Sequence, residues 1–288
     1  MKLPFREEDS NKATFGNVLN IAGSLNYRGA AYLSSVSALR VGAGYVTLAA
    51  IPPVIEAVAS QMPDAVFVPL PQAGPILSRN ALSVIGNILR PSTVCSFGCG
   101  ISAIGIPFND LTKIVNKILR LLIEQKTFCV LDADALNALS QSSETFRFDG
   151  RAVMTPHPKE LSRLLHTDLE RIQRNRIDAA REASQKFGAI VLLKGHQTVI
   201  ANGNAFHIND SGNSALAKAG SGDCLTGIIA GLLAQKMEPF DAAILGAKLH
   251  GIAGEIASAE LSEYGVLASD LPRYIPQAIK KIQSEEIN

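Results

Sequence analysis

Apolar residues along the chain come in two patterns, short unbroken runs and longer stretches in which they recur every three or four positions. Asn17 to Gly23, Tyr45 to Ala50, Ala65 to Val68, Thr93 to Phe97 and Phe128 to Leu131 are runs of strand length. Between them, Arg28 to Ala43, Val54 to Gln61, Leu77 to Leu89 and Leu111 to Glu124 have helical spacing, the first with Ala31, Val36, Leu39 and Ala43 on one stripe. A strand that is apolar throughout is buried on both faces, so this alternation predicts an α/β fold with a mostly parallel central sheet covered by helices on both faces. The second half continues less regularly. Ala152 to Met154 and Ala189 to Leu193 read as strands, Pro158 to Leu165 and Leu169 to Phe187 as helices. Thr198 to Ala201 and Ala205 to Ile208 flank Asn202-Gly203-Asn204, a hairpin signal. From Gly222 the pattern is helical, to Gln235, then from Phe240 to about Leu261, then in the region Leu271 to Ser284, where Pro272 and Pro276 obscure the start. Neither a low-complexity linker nor a tandem repeat interrupts the chain, so residues 1–288 read as one domain.

Composition narrows the partners. Hydrophobic residues make up 47% of the 288 and charged ones 18%, enough for a large core. The net charge is +1, with no basic cluster beyond pairs such as Lys280-Lys281, which argues against nucleic acid and against an anionic membrane surface. The first residues lack the apolar centre of a signal peptide, and no run reaches membrane-spanning length, so a cytoplasmic location is expected. Cys95, Cys99, Cys129 and Cys224 have no zinc spacing and read as reduced, buried thiols.

The candidate chemistry centres on Gly220-Ser221-Gly222-Asp223. Glycines followed by an apolar helical run from Leu225 predict a helix whose free N–H groups and positive dipole end suit a phosphate. Asp223 in its first turn reads either as a helix-start acid or as a base beside a transferring phosphoryl group. In an open parallel sheet, ligands collect where strands end. Gly98-Cys99-Gly100 follows one strand and suits close backbone approach to a ligand. Asp132-Ala133-Asp134 follows the next, as helix caps or as groups holding metal or substrate. Thr155-Pro156-His157-Pro158 fixes His157 in a rigid loop, for a structural hydrogen bond or a role in the site. Lys194-Gly195 ends a further strand and reads as a phosphate contact. No Gly-x-x-x-x-Gly-Lys-Ser/Thr loop is present, which excludes P-loop kinases.

Together with Phe15-Gly16-Asn17, Ala22-Gly23-Ser24 and Ala38 to Gly44, these boxes occur in the order that resembles the ADP- or ATP-dependent NAD(P)H-hydrate dehydratases, of ribokinase-like fold, from about Phe15 to Asp270. The resemblance implies a lyase that restores NADH or NADPH from the S form of its hydrate, phosphorylating the ring hydroxyl at the expense of ADP or ATP and eliminating phosphate. It implies that Lys194, Gly195, His196, Gln197, Thr198, Gly220, Ser221 and Gly222 contact the nucleotide. Ala38, Gly100, His157 and Asp223 would border the hydrate, with Asp223 the base. Magnesium is expected with the nucleotide, without assignable protein ligands. A homotetramer is expected, as is a functional partner in a separate NAD(P)H-hydrate epimerase, since the stretch before Phe15 is too short for that domain. Small residues on one helix, Ala242, Ala243, Gly246, Ala247 and Gly251, suit a subunit contact. Two positions depart from the family pattern, Asn11 before Lys12 and Ala219 before Gly220. The rival readings are a kinase of the same fold acting on a vitamin precursor or sugar, and a nucleotide-binding protein without catalysis.

Overall fold

The computed structural model describes residues 2–90 and 93–287. Its elements follow the predicted alternation: β1 (Asn17–Ile21), α1 (Arg28–Arg40), β2 (Tyr45–Ala50), α2 (Pro52–Ala59) and β3 (Val66–Pro69). A small ribbon of β4 (Gln72–Ala73) and β5 (Ile76–Leu77) precedes α3 (Ala81–Ile88) and β6 (Thr93–Phe97). Next come α4 (Phe108–Glu124), β7 (Cys129–Leu131), α5 (Asp134–Ser140), β8 (Ala152–Met154), α6 (Pro158–Leu165), α7 (Leu169–Arg174) and α8 (Arg176–Phe187). The chain continues through β9 (Ile190–Leu193), the hairpin β10 (Val199–Asn202) and β11 (Ala205–Ile208), then α9 (Ser221–Ala234), α10 (Pro239–Gly265) and α11 (Leu271–Ile287).

Nine strands form one sheet in the order β11-β10-β9-β8-β7-β6-β1-β2-β3, parallel except where β10 runs against both neighbours. The chain travels outward from β1 to β3 and then, from β6, in the other direction, so β1 and β6 flank the point where the winding reverses. The carboxyl ends of strands on either side of such a point leave a crevice. Alternate residues of each strand feed two cores. One lies beneath α2 to α8, around Leu19, Phe97, Leu131 and Met154, and the other beneath α1 and α9 to α11, around Val18, Val94, Val130 and Leu192.

Helix α9 is buried nearly all round, which explains its unbroken apolar composition. Glycines let α1 lie against it: a Cβ on Gly227 would come 2.1 Å from the Ser34 carbonyl oxygen, and one on Gly231 2.7 Å from that of Ala38. Gly227→Ala is therefore expected to destabilise the protein by about 3 kcal/mol through overpacking, despite the better helix propensity of alanine. A denaturation midpoint equal to that of the wild type would contradict this contact.

Four expectations are corrected. Leu77 belongs to β5, and α3 starts only at Ala81. The helix expected from Leu169 to Phe187 is broken at Asn175 (φ −129°, ψ 56°), where the chain turns so that Arg176 donates to the carbonyls of Leu193 and Lys194. Gly98 is needed by the protein itself, because a Cβ there would meet the Asp132 carbonyl oxygen at 2.1 Å. The small residues of α10 are used inside the chain. Ala242 and Ala243 are fully buried, Gly246 lies against Ile229, and Gly251 lies against Ser211. Among the described residues no helix is long and apolar enough to cross a membrane.

Candidate active site

Because β1, β6, β7, β8 and β9 are parallel, the loops after them all open at one edge of the sheet. Gly23 N–H donates to the Cys99 carbonyl at 2.8 Å and Ser24 Oγ to the Ser102 carbonyl at 2.5 Å, which ties the β1 and β6 loops together across the reversal point. The N-terminus of α9 descends onto this edge. Gly220 opens the helix with φ +93°, a conformation that favours glycine. The Ser221 N–H is taken by the Lys218 carbonyl and that of Asp223 by the Gly220 carbonyl, while those of Gly220 and Gly222 carry no hydrogen bond among the described residues. Two free donors and the positive dipole end suit an anion.

A cleft of about 900 Å³ lies on one side of that turn, lined by Lys194 to Thr198, the Asn209 to Lys218 segment, Ser221, Gly222 and the α10 residues His250 and Gly251. Every residue assigned from sequence to the nucleotide lines it except Gly220, which lies against Leu33 and Ala268. Asp223 does not line the cleft and lies close to Cys99 at the reversal point. Gly100 packs against the start of α1, since a Cβ on it would meet Tyr27 Cβ at 2.6 Å and Ala30 Cβ at 3.0 Å. Ser221 and Gly222 thus open to the cleft, while the next residue addresses the Gly98–Gly100 loop.

Beneath the turn lies an ion pair. Lys194 Nζ donates to Asp132 Oδ1 at 2.7 Å, and Asp132 Oδ2 accepts from Thr226 Oγ1, one turn into α9, at 2.9 Å. A Cβ on Gly222 would come 3.3 Å from Lys194 Nζ, so the glycine keeps the space above this ammonium open. Burial acts to lower the Lys194 pKa, but Asp132 and then Glu160 outweigh it and raise the net value, so this lysine is charged. Burial, reinforced by the Asp132 charge, pushes Asp223 up to about 6.

Two assignments change. Ala38 is fully buried between α1 and α9, far down the helix from the residues that face Gly100; Tyr27 and Ala30 occupy that place. Neither Asp132 nor Asp134 caps α5: Asp132 holds Lys194, and Asp134 accepts from the Ser102 N–H at 2.9 Å. His157 is exposed at the edge of the cleft and forms a capping box with Glu160, its Nδ1 accepting from the Glu160 N–H. The structural hydrogen bond and the position at the cleft therefore coexist. The pairing of Asp132 with Lys194 had a signal in the sequence, opposite charges at the ends of two nearby strands. The Cys99–Asp223 contact and the place of His250 had none.

For magnesium, the donor set decides. Asp132 Oδ1 is engaged by Lys194 and by the Ala133 N–H, Oδ2 by Thr226, and no group of three or more His, Cys, Asp or Glu among the described residues could hold an ion. The protein does not fit a self-standing magnesium site. An ion carried on nucleotide phosphates needs few protein ligands and suits the cleft better.

A family model described as NAD(P)H-hydrate dehydratase matches residues 18–277. The chain is 38% identical over 258 residues to the ADP-dependent (S)-NAD(P)H-hydrate dehydratase of Neisseria meningitidis, covering 87% of this chain and 80% of that one. It is 39% identical over 290 residues to the bifunctional NAD(P)H-hydrate repair enzyme Nnr of Moorella thermoacetica, covering 99% of this chain and 53% of that one. The chain therefore spans about half the length of the bifunctional relatives it matches. Among solved structures, the ADP/ATP-dependent NAD(P)H-hydrate dehydratase of Bacillus subtilis, co-crystallised with ATP/Mg2+, superposes with a TM-score of 0.81 at 30% identity, covering 97% of this chain and 94% of that one. With its fold and these matches, the chain belongs to the NAD(P)H-hydrate dehydratase family, of ribokinase-like fold.

Proposed function

We propose that the protein is a lyase that uses ADP or ATP, with magnesium arriving on the nucleotide, to dehydrate the S form of hydrated NADH or NADPH. The observation that carries the reading is the division of the α9 turn, with Ser221 and Gly222 opening to the cleft and Asp223 addressing the Gly98–Gly100 loop. Nucleotide in the cleft meets Lys194 and the free Gly222 N–H, and the hydrated ring lies near Gly100, Tyr27 and Asp223. Asp223 accepts the proton of the ring hydroxyl as its oxygen bonds to phosphorus and the nucleotide leaves as its shorter homologue. The ring nitrogen then drives out the phosphate ester as free phosphate, with loss of the neighbouring C–H proton, and the dihydronicotinamide is restored. Donors fixed in advance on the phosphoryl group are the effective part of such a site.

The same reading makes the chain one working domain, supported by a sheet continuous from β3 to β11. A homotetramer rests on resemblance alone, and sedimentation showing only monomer at micromolar concentration would remove it. A separate epimerase as functional partner rests on the bifunctional names of the relatives.

The test is to incubate the protein with hydrated NADH or NADPH, magnesium and ADP or ATP, following dihydronicotinamide absorbance and phosphate release together. Both should rise in proportion, and neither without nucleotide. Phosphate transfer to a vitamin precursor or sugar alcohol, with the hydrate untouched, would replace the lyase with a kinase. The pH dependence follows from Asp223. Its carboxyl is raised to about 6, so below that pH the proton-accepting form is depleted and kcat/KM is expected to fall about tenfold per unit. A profile flat from pH 7 to pH 4 would remove Asp223 as the base.

A further inference from the structure

His250 takes no part in the chemistry above, yet it sits directly behind the anion loop. It is carried on α10, is only 9% exposed, and places Nε2 3.0 Å from Ser221 Oγ. Ser221 is the first residue of α9, 4% exposed, and both side chains border the cleft beside Lys194 and Gly222.

A hydroxyl has one hydrogen to donate, and a neutral imidazole has one N–H and one acceptor nitrogen, so the pair can bond in two senses. If Ser221 donates to the ring, its hydrogen is used up inside the protein. If the ring donates to Ser221, the hydroxyl hydrogen remains for a ligand. Burial, with a smaller contribution from the Lys194 charge, pushes His250 down to about 4, so the ring is neutral near pH 7 and carries a single proton. Nε2 is the ring nitrogen that reaches Ser221 Oγ, so a proton carried on Nε2 is donated to that oxygen. Among the described residues His250 is the one hydrogen-bond partner of Ser221 Oγ, so a donating ring leaves the hydroxyl hydrogen unengaged at the wall of the cleft.

We propose that His250 is a positioning residue which, by donating Nε2–H to Ser221 Oγ, holds the Ser221 hydroxyl as an oriented donor to the terminal phosphate of the adenine nucleotide. This rests on the nucleotide-dependent reading of the cleft. Together with Lys194 and the Gly222 N–H it supplies a hydroxyl donor whose direction is fixed before the nucleotide arrives. A serine without that restraint could turn its hydrogen to water or to a nearby carbonyl and would have to reorient in the reaction.

The first test does not depend on turnover. Long-range proton–nitrogen NMR spectra of protein with labelled histidine, compared with those of His250→Gln to assign the resonance, should show His250 as the neutral Nε2–H tautomer at pH 7. An Nδ1–H tautomer would overturn the proposal. The second test is kinetic. A glutamine places its terminal amide near the position of Nε2 and can still donate, whereas an asparagine is too short. His250→Asn and Ser221→Ala are each expected to lose about tenfold in kcat, the scale of one hydrogen bond, with KM for nucleotide within about threefold of wild type. His250→Gln should recover most of the loss, and the His250→Asn/Ser221→Ala double variant should be no slower than the slower single. Losses that multiply in the double variant, or a glutamine as slow as the asparagine, would reduce His250 to a packing residue. A wild-type protein that turns over no hydrate would sink the dehydratase reading instead, and the tautomer would still decide the pair.

Discussion

Asp223→Asn is expected to lower kcat by about a hundredfold or more while nucleotide binding stays within about threefold. The amide preserves the shape of the carboxylate, so the first turn of α9 and the free Gly222 N–H remain. It cannot accept the hydroxyl proton. Asp223 addresses the Gly98–Gly100 loop and does not line the cleft, so its neutralisation leaves Lys194 and Gly222, which do line it, unchanged. Steady-state kinetics with hydrated coenzyme, beside calorimetry with ADP or ATP, separates the two effects. Near-normal turnover would return Asp223 to a helix-start acid favoured by the dipole.

The second large effect is on stability. Asp132→Ala is expected to cost about 3–5 kcal/mol, because it leaves the Lys194 ammonium, largely enclosed, without its 2.7 Å partner and takes the acceptor from Thr226. For a chain of this size that lowers Tm by about 6 °C or more. The Asp132→Ala/Lys194→Met double variant should recover much of that loss, since an apolar pair avoids the buried charge, yet remain poor in activity because the phosphate cation is gone. A single variant melting within about 2 °C of wild type would mean that water reaches Lys194 freely. The same substitution removes a charge that raises Asp223, so the acid limb of the rate profile should move to lower pH in whatever activity remains.

Local pattern along the chain carries the architecture. Unbroken apolar runs alternating with helical stripes specified a mostly parallel α/β sheet, because a strand buried on both faces has no polar side to show. Asn202-Gly203-Asn204 specified the hairpin that closes the sheet, and Gly220-Ser221-Gly222 ahead of an apolar run specified the start of α9, because turn residues and helix starts act over a few positions. Even the expected end of the long helix near Leu261 has a counterpart, since α10 leaves helical geometry at Ser262 (φ 65°).

Tertiary structure decided everything that depends on which distant residues meet. The resemblance implied Ala38 beside the hydrate, and the small face of α10 suited a subunit contact, but α9 is packed between α1 and α10 and takes both inside. Helical period records that a face is covered, not by what. The partner of Lys194 lies 62 residues away, and the restraint on Ser221 lies 29 residues further along the chain. Those pairings exist because strand order placed β7 and β9 on either side of β8, and because glycines at 227 and 231 let α9 lie close enough for its first turn to reach the strand ends.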